Sequence, residues 1–383
     1  MSIWGPLKDR YETKQPRKIL SIDGGGIRGI VALGMLAEME SQLKNKLKRG
    51  SDFRLCDYFD YIGGTSTGAI IASGLSIGLS VQELLNYYLD KGKLMFDKTF
   101  ILKRWKALYE SGPILQSLKE TFGADTDLTL NNGKYKSLLL VVAMNRTTDS
   151  PWPISNNPLA KYNNPDRPDC NAKIKLYQLV RASSAAPVFF PPETLQWDPN
   201  DDDKTFVFVD GGVSPYNNPA FLMYRMATQP AYNLNWETGE NKLLIISVGT
   251  GAAVSTGEYS NILDTAQNLP NNLLYAMAVD QDINCRTVGR CTYGAPIDRE
   301  LRYMIPMDKH GNISPLSQDT DRHFLYARYN ADLSTEGLKE LGLENIKSEN
   351  VRKMDTVDYL DELQAVGKAA SKQVDLAHFG SFV

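Results

Sequence analysis

The chain has 383 residues, 42% of them hydrophobic and 23% charged, a composition typical of globular proteins with room for one large core or two smaller ones. Its net charge of −3 excludes a global positive field that would attract a nucleic-acid polymer. The four cysteines have no C-x-x-C spacing, so the sequence supports neither a zinc site, a thioredoxin-type site nor a disulfide framework.

Five short apolar runs predict strands that are buried on both faces. These runs are residues 18–23, 58–63, 137–143, 205–210 and 243–248. Apolar residues also recur at every fourth position from Val31 to Leu47, which predicts a helix with one buried face. Ser80 and Glu83 have the spacing of a capping box and predict the start of a helix that continues toward Asp90. Strands alternating with helices predict an α/β fold with a mostly parallel sheet.

Other parts of the chain predict less regular structure. Residues 145–170 are rich in proline and asparagine and predict a long surface loop. The acidic run 198–203 predicts a turn between two strands, because its spacing does not fit a calcium-binding EF-hand loop. After about residue 255 we expect mostly helices, with one strand near residues 301–305.

The sequence carries no sign of export or of a membrane span. The first eighteen residues contain no apolar signal core, and residues 61–80 fit a buried strand, turn and helix better than a membrane helix. We therefore expect a cytoplasmic protein. Basic side chains cluster twice, which is typical of a solvated helix face or of a surface that contacts anionic lipid headgroups. The clusters are Lys44, Lys46, Lys48 and Arg49, and Lys98, Lys103, Arg104 and Lys106.

A glycine cluster, DGGGIRG at residues 23–29, follows the first predicted strand. Its spacing fits the G-x-G-x-x-G fingerprint of dinucleotide-binding folds, but the acidic residue that such folds carry after the second strand is missing. In a hydrolase, the amides of Gly24, Gly25 and Gly26 at a helix N-terminus would instead hold a developing oxyanion. Two interpretations of Arg28 stay open: it fixes this loop through carbonyls or a carboxylate, or it forms an ordinary surface salt bridge.

The second predicted strand leads into the sequence GTSTG at residues 64–68. This G-x-S-x-G pattern predicts a nucleophile elbow, a sharp strand-to-helix turn that exposes the central serine, Ser66. Gly64 and Gly68 would let the strand and the helix pass closely. The alternative is that Ser66 is one small residue among several at the start of a helix.

A serine nucleophile needs a base, and the residues leave two arrangements open. Asp210 ends a predicted strand and is followed by Gly211 and Gly212, a position where α/β sites form. It could equally cap the next helix or stabilise the turn. The second arrangement is a Ser–Asp–His triad, although the histidines all lie far toward the C-terminus. They are His310, His323 and His378.

Four motifs occur in order along the chain: DGGGIRG at 23–29, GTSTG at 64–68, RASSAAPVFFPP at 181–192 and DGG at 210–212. Together they resemble the patatin-like phospholipase family. The resemblance implies a three-layer α/β/α fold with a mostly parallel central sheet and a Ser–Asp dyad without histidine, metal or cofactor. It implies an N-terminal arm at residues 1–17, a catalytic core at 18–225, and a mostly helical C-terminal part at 226–383 that completes the fold.

The resemblance also implies roles for individual residues. Ser66 would be the nucleophile and Asp210 the general base. The oxyanion hole would be formed or supported by Gly24, Gly25, Gly26 and Arg28. Residues 181–190, which are small and apolar, would wall the acyl pocket or simply pack in the core.

The family hydrolyses acyl esters of phospholipids, galactolipids and other lipids. The resemblance therefore implies membrane phospholipids as substrates, contact with a membrane surface and action at its inner face. Some bacterial members are effectors that nucleotide second messengers switch on in antiphage defence, so a nucleotide activator acting through the C-terminal part is a further hypothesis. Two alternatives stay open: an esterase with a Ser–Asp–His triad, and a lipid-binding module without activity. Self-association is also open.

Overall fold

The computed structural model describes residues 2–96, 112–187, 190–198, 200–252, 262–305 and 322–383, and for residues 112–113 and 262–271 it describes the backbone alone. The predicted basic cluster at residues 98–106 lies outside the described residues, and so do His310, Val188 and Phe189.

Within the described residues, nine strands form one sheet in the order β5-β6-β3-β2-β1-β7-β9-β8, and β4 pairs with β3. The strands are β1 (Arg17–Ile22), β2 (Tyr61–Thr65), β3 (Leu138–Asn145), β4 (Ser150–Ser155), β5 (Glu193–Asp198), β6 (Asp201–Asp210), β7 (Leu243–Val248), β8 (Arg290–Tyr293) and β9 (Leu325–Tyr329). Every residue of β2, β7 and β9 is buried, as expected for strands covered on both faces.

Five of the eight strand pairings found in the described residues are parallel: β1 with β2 and β7, β2 with β3, and β9 with β7 and β8. The antiparallel pairings, β3 with β4 and β6 and β5 with β6, lie together at one end of the sheet. The prediction of an α/β fold with a mostly parallel sheet is confirmed.

Helices cover both faces of this sheet. They are α1 (Lys8–Glu12), α2 (Gly29–Lys46), α3 (Leu55–Tyr58), α4 (Thr67–Ser76), α5 (Val81–Phe96), α6 (Gly112–Phe122), α7 (Leu176–Ser183), α8 (Ala220–Thr228), α9 (Ile262–Val288), α10 (Thr335–Glu340), α11 (Ser348–Val351) and α12 (Leu360–Ala370). If a Cβ atom were added to Gly63 of β2, it would contact Met223 of α8. A Cβ atom added to the next residue, Gly64, would contact Gly68 of α4. Because successive strand residues point to opposite faces, α4 and α8 lie on opposite sides, and the fold has three layers. No helix in the described residues is both long and apolar enough to span a bilayer.

Two helix predictions are confirmed in detail. The apolar stripe lies on α2, where Val31, Met35, Met39 and Leu43 are fully buried, whereas Leu47 follows the helix and is 38% exposed. The capping box forms at the start of α5: the Ser80 amide donates to Glu83 Oε2 over 2.7 Å, and the Glu83 amide donates to Ser80 Oγ over 3.2 Å. The acidic run 198–203 lies where β5 is followed by β6, as predicted, but Asp198 ends β5 and residues 201–203 already belong to β6.

Other predictions are wrong in part. Residues 58–60 precede β2, because Tyr58 ends the short helix α3. The predicted loop 145–170 contains β4, whose backbone pairs with β3 from Ser150 to Ser155. The predicted strand at residues 301–305 is absent from the described structure, where turns closed by Arg302 and Met304 amides replace it. The C-terminal part instead contributes β8 and β9, which sequence reasoning missed because their apolar runs are short.

Candidate active site

Ser66 lies at the sharp turn that the G-x-S-x-G sequence predicts. β2 ends at Thr65 and α4 begins at Thr67. Between them the Ser66 backbone adopts φ 56° and ψ −122°, a positive-φ conformation that residues other than glycine rarely occupy. The turn leaves Ser66 partly exposed while both of its neighbours are buried. A strained serine between a strand and a helix N-terminus is the geometry of a nucleophile elbow.

Close backbone contacts require both glycines of this turn. A Cβ on Gly64 would lie 2.1 Å from the carbonyl oxygen of Gly68, and a Cβ on Gly68 would lie 2.2 Å from the carbonyl oxygen of Ile22. In both cases the obstacle is backbone, which cannot rotate away as a side chain can. The two glycines therefore set how closely α4 approaches β1 and β2, and with it the position of Ser66.

We expect Gly68→Ala to lower the free energy of unfolding by about 1–3 kcal/mol, because the added methyl overpacks a backbone contact. Gly92→Ala is the matched control on α5, where the new Cβ would lie 3.0 Å from the movable Cδ1 of Ile27. That control is expected to change stability by less than about 1 kcal/mol. Urea unfolding of both variants measures the difference, and equal losses would contradict the close-contact explanation.

Asp210 is the hydrogen-bond partner of the nucleophile candidate. The Ser66 hydroxyl donates to Asp210 Oδ2 over 2.5 Å, a length typical of a charge-assisted bond to a carboxylate. Asp210 is the last residue of β6, and only 6% of its surface is exposed. The Gly212 amide donates to its other oxygen, Oδ1, over 2.7 Å. A Cβ on Gly211 would lie 2.2 Å from the Val142 carbonyl oxygen, so this turn also depends on glycine.

Burial raises the pKa of Asp210 to about 6, and the hydrogen bonds from Ser66 and Gly212 together with the charge of Arg181 lower it by less. A base with a pKa near neutrality accepts a proton better than an exposed aspartate does. This shift is what a hydroxyl nucleophile needs from a carboxylate partner.

The rate of ester hydrolysis should follow the ionisation of Asp210. Only the carboxylate can accept the serine proton, so kcat/KM is expected to fall about tenfold for each pH unit below the pKa and to level off above it. Since burial places that pKa at about 6, the midpoint should lie near pH 6. A profile with a neutral short-chain ester between pH 4.5 and pH 8 measures it. A flat profile over this range would show that the carboxylate does not act as the base.

The segment at residues 181–190 holds the two residues in place. The Ser66 amide donates to Ser183 Oγ over 3.0 Å, and the Ser183 hydroxyl donates to the Val142 carbonyl over 2.6 Å. The Asp210 amide donates to the Ala185 carbonyl over 2.9 Å. Sequence reasoning considered these small residues as a pocket wall or core and missed this contact with the backbone of the dyad. In the sequence, the one signal for this contact is the repeated small residues of RASSAAP.

The glycine loop lies directly against Ser66. A Cβ on Gly24 would lie 3.2 Å from Ser66 Cβ and 2.4 Å from Asn217 Oδ1, so a larger residue would crowd both side chains. The Gly24 amide donates to the Asn217 carbonyl over 3.0 Å. The amides of Gly25 and Gly26, which precede α2, have no acceptor within the described residues. Of the three predicted donors, Gly25 and Gly26 therefore keep amides available for a ligand.

Arg28 fits neither interpretation that the sequence left open. Its Nε is buried without a hydrogen-bond partner, and its guanidinium forms no salt bridge with the described residues. The adjacent carboxylate of Asp23 pairs with Arg328 of β9 instead, over 2.6 Å between Oδ2 and Nη2 and 3.1 Å between Oδ1 and Nη1. No local pattern could have revealed this pair, because its members are 305 residues apart in sequence.

The two described histidines have partners other than Ser66 and Asp210. His323 Nδ1 is 2.5 Å from the Tyr224 hydroxyl. His378 Nδ1 is 2.8 Å from the Tyr329 hydroxyl, and its ring stacks on Tyr293. Among the described residues, Asp210 is thus the titratable group bonded to Ser66.

The family model of patatin-like phospholipases matches residues 20–224, more than half of the chain. The chain belongs to the patatin-like phospholipase family. The match contains both Ser66 and Asp210, the glycine loop and the segment 181–190. β7, β8 and β9 lie beyond it and complete the sheet.

Curated relatives agree with this membership. The chain is 31% identical to Patatin-17 of Solanum cardiophyllum over 246 residues, which cover 61% of this chain and 60% of the relative. It is 33% identical to a cGAMP-activated phospholipase of Escherichia coli (strain TW11681) over 224 residues, which cover 56% of this chain and 57% of that one. The chain thus spans about three fifths of the length of the curated relatives it matches.

Two solved structures resemble the chain more distantly. Human GIVD cytosolic phospholipase A2 is 13% identical, with a TM-score of 0.43 over 96% of this chain and 63% of that chain. VipD from Legionella pneumophila is 13% identical, with a TM-score of 0.38 over 94% of this chain and 66% of that chain.

Proposed function

We propose that the chain is a serine lipid acyl hydrolase of the phospholipase A type, with Ser66 as nucleophile and Asp210 as general base. The observation that carries this proposal is the 2.5 Å hydrogen bond from the strained serine to a buried aspartate at the adjoining strand ends. Membership of the patatin-like phospholipase family supports the choice of lipid esters as substrates.

The reaction proceeds in two halves. Asp210 accepts the Ser66 proton as Oγ attacks the acyl ester carbonyl, and it then returns this proton to the departing alcohol, a lysophospholipid. In the second half Asp210 accepts a proton from water, the resulting hydroxide attacks the acyl-enzyme, and the proton returns to Ser66 as the fatty acid leaves. One residue acts as base and acid in turn, which suits its pKa of about 6.

The oxyanion of each tetrahedral intermediate is held by the glycine loop. The unoccupied amides of Gly25 and Gly26 are the donors, and each well-placed donor contributes about 3–4 kcal/mol to the transition state in comparable hydrolases. The N-terminus of α4 begins directly after Ser66, and its dipole favours negative charge there. Gly24 allows the close approach, and Arg28 adds positive charge beside the loop.

The substrate reaches this site from a membrane surface. Val213, which follows the Asp210 turn, is 47% exposed, and Leu273 of α9 is 53% exposed. The Leu274 side chain lies beside the same turn, because a Cβ on Gly212 would be 3.3 Å from it. Exposed apolar side chains next to a lipid hydrolase site suit contact with the acyl region of a bilayer. The inner face of the cytoplasmic membrane is the proposed place of action.

Activation by a nucleotide is a further part of the proposal. Its support is the printed name of the Escherichia coli relative, a cGAMP-activated phospholipase. A phospholipase that acts on its host's own membrane needs such control, and antiphage defence is the role that would require it.

Product analysis tests the reaction type. Vesicles of phosphatidylethanolamine and phosphatidylglycerol are incubated with the protein, with and without cGAMP, and the lipids are identified by mass spectrometry. We expect free fatty acid and lysophospholipid in equal amounts at early times. Phosphatidic acid or diacylglycerol would place the cleavage at the phosphodiester instead. Vesicle binding without products under both conditions would favour a lipid-binding module.

A further inference from the structure

A cavity opens beside the glycine loop, at the carboxyl ends of β1, β7 and β9. Its volume is about 250 Å³, and its lining includes Gly24, Thr250 and Asn330 at the strand ends and Leu274 of α9. We call it the strand-end pocket. A cavity of this size has room for several waters and for a phosphate group. Ligands of open α/β sheets bind at this edge.

Four arginines line the strand-end pocket: Arg28, Arg286, Arg328 and Arg352. Two of them are neutralised by buried carboxylates. Arg286 Nη2 lies 2.8 Å from Asp282 Oδ2, and Arg328 Nη2 lies 2.6 Å from Asp23 Oδ2. Because these two arginines are paired with carboxylates, they contribute little net positive charge to the pocket.

The other two arginines lack such partners. Arg28 and Arg352 form no salt bridge with the described residues, and Arg28 Nε is buried without a hydrogen bond. Asp332 also lines the pocket, but its Oδ1 accepts the Ser334 amide over 2.8 Å. The four arginines of the pocket thus face three carboxylates, Asp23, Asp282 and Asp332, which leaves one formal positive charge in excess. Both guanidiniums are partly buried and have no salt-bridge partner among the described residues, so the site favours an anion.

The electrostatics of Arg28 agree with this geometry. Burial and, to a smaller extent, the charge of Arg352 lower the pKa of Arg28 to about 10, against the opposing effect of the Asp23 carboxylate. The two guanidiniums therefore lie close enough to repel each other. An anion between them would relieve the repulsion and supply the hydrogen-bond acceptors that Arg28 lacks.

Arg352 reaches the pocket from outside the region that matches the family model, which ends at residue 224. Two residues later, the Met354 carbonyl accepts the Ile27 amide of the glycine loop over 3.1 Å. A Cβ on Gly26 would lie 2.3 Å from that same carbonyl oxygen. The segment at residues 352–354 therefore joins the strand-end pocket to the loop that holds the oxyanion.

We propose that the strand-end pocket binds a phosphate group, held by the guanidiniums of Arg28 and Arg352. Two guanidiniums can offer paired N–H donors to a phosphodiester or phosphomonoester. The phosphate has two sources: the headgroup of the lipid whose acyl ester lies at Ser66, or a free phosphate-bearing ligand that steadies the glycine loop through residues 352–354. The headgroup source rests on the proposed acyl hydrolase function, whereas the binding site itself does not.

The first test compares two substrates with the same acyl chains, one with a phosphocholine headgroup and one without: dihexanoyl phosphatidylcholine and dihexanoylglycerol. The readout is the ratio of their kcat/KM values. If the headgroup binds in the strand-end pocket, Arg352→Gln should lower this ratio by about 10- to 100-fold, the loss typical of a hydrogen bond to a charged group. Arg352→Lys, which keeps the charge, should restore part of it. Lys353→Gln is the matched control, an exposed cation one residue away, and should leave the ratio unchanged.

The second test measures binding of inorganic phosphate by calorimetry in the full chain carrying Ser66→Ala, so it needs no turnover. We expect binding that is at least tenfold weaker when Arg352→Gln is added and unchanged when Lys353→Gln is added. In active protein, phosphate that competes with phosphatidylcholine and not with dihexanoylglycerol identifies the headgroup as the source. Phosphate that changes the rates on both substrates equally identifies a free ligand.

Two results would overturn the proposal. One is phosphate binding that is equal with and without Arg352→Gln, together with an unchanged substrate ratio. The other is an equal fall on both substrates in Arg352→Gln without any change in phosphate binding, which would give Arg352 a purely structural role. Thermal melting of each variant shows whether it is folded. If the wild type hydrolyses neither substrate, with or without cGAMP, the acyl hydrolase function fails while the calorimetry still decides the phosphate site.

Discussion

Ser66→Ala is expected to lower kcat/KM for a short-chain lipid ester by about 10⁴- to 10⁶-fold, the loss seen when a hydrolase loses its nucleophile. Without Oγ no acyl-enzyme can form. The remaining rate comes from direct attack of water on the ester, which the oxyanion donors still stabilise. Stability should change little, because Ser66 Oγ contributes one hydrogen bond, to Asp210. Initial rates of fatty acid release from dihexanoyl phosphatidylcholine measure the effect.

Ser73→Ala is the matched control for this change. Ser73 lies on the same helix, α4, is fully buried, and its hydroxyl has no hydrogen-bond partner among the described residues. Its loss should leave the rate within about twofold. His323→Ala should also keep the rate, because His323 bonds Tyr224 rather than the dyad. A rate that survives Ser66→Ala and is lost in His323→Ala would support a different nucleophile and a histidine base.

Asp210→Asn is expected to lower kcat/KM by about 10²- to 10⁴-fold, the contribution of a general base. The amide keeps the shape of the carboxylate and can accept from Gly212, but it cannot accept the serine proton. The change should also stabilise the protein at neutral pH. Burial raises the pKa of Asp210 from 3.8 to about 6, so the folded state disfavours the carboxylate.

The sign of the stability change follows from that shift. A carboxyl whose pKa is raised on folding binds its proton more tightly in the folded state, so wild-type stability falls as the pH rises from about 4 to 6. Asp210→Asn removes this cost, and its advantage should grow over that range to at most about 3 kcal/mol above pH 6. Urea unfolding at pH 5 and pH 8 measures it. Asp203→Asn, an exposed residue on the same strand, should change neither stability nor rate, and a destabilised, active Asp210→Asn would refute both roles.

The sequence allowed much of the dyad to be predicted, because its signals are local. Ser66 lies in a G-x-S-x-G sequence between a strand and a helix, where close backbone contacts require the glycines. Asp210 is the last residue of a strand and is followed by two glycines. The structure places these two residues 2.5 Å apart, although 144 positions separate them in the chain. Parallel-strand geometry does not explain this meeting, because β6 runs antiparallel to β3. The register of β3 explains it: Val142 pairs with Thr65, and the next residue, Ala143, pairs with Asp210.

Other parts could not be predicted because they depend on tertiary contacts. Ser183 of α7 accepts a hydrogen bond from the Ser66 amide, and Arg328 of β9 forms a salt bridge with Asp23. No sequence motif around Ser183 or Arg328 identifies the residue that it contacts. The strand predicted at residues 301–305 failed for a similar reason. There the Tyr303 carbonyl accepts from Arg286 over 2.9 Å, and tertiary contacts override β propensity.

The arginines of the strand-end pocket also could not be predicted from the sequence as a group. Arg28 is part of the glycine motif, yet its partner in the strand-end pocket, Arg352, lies in a stretch of sequence that carries no motif. The folded chain brings these two guanidiniums to one pocket, where neither forms a salt bridge with the described residues. The proposed role of Arg352 therefore follows from tertiary packing and could not be read from a sequence motif.

The most direct test of the Ser66–Asp210 dyad is active-site labelling with a fluorophosphonate, followed by mass spectrometry of the digested protein. The probe reacts with an activated serine whichever lipid the enzyme prefers. We predict one adduct, on the peptide that contains Ser66, which disappears in Ser66→Ala and forms at least a hundredfold more slowly in Asp210→Asn. An adduct on another serine, or undiminished labelling in Ser66→Ala, would contradict the assignment of Ser66 as the nucleophile.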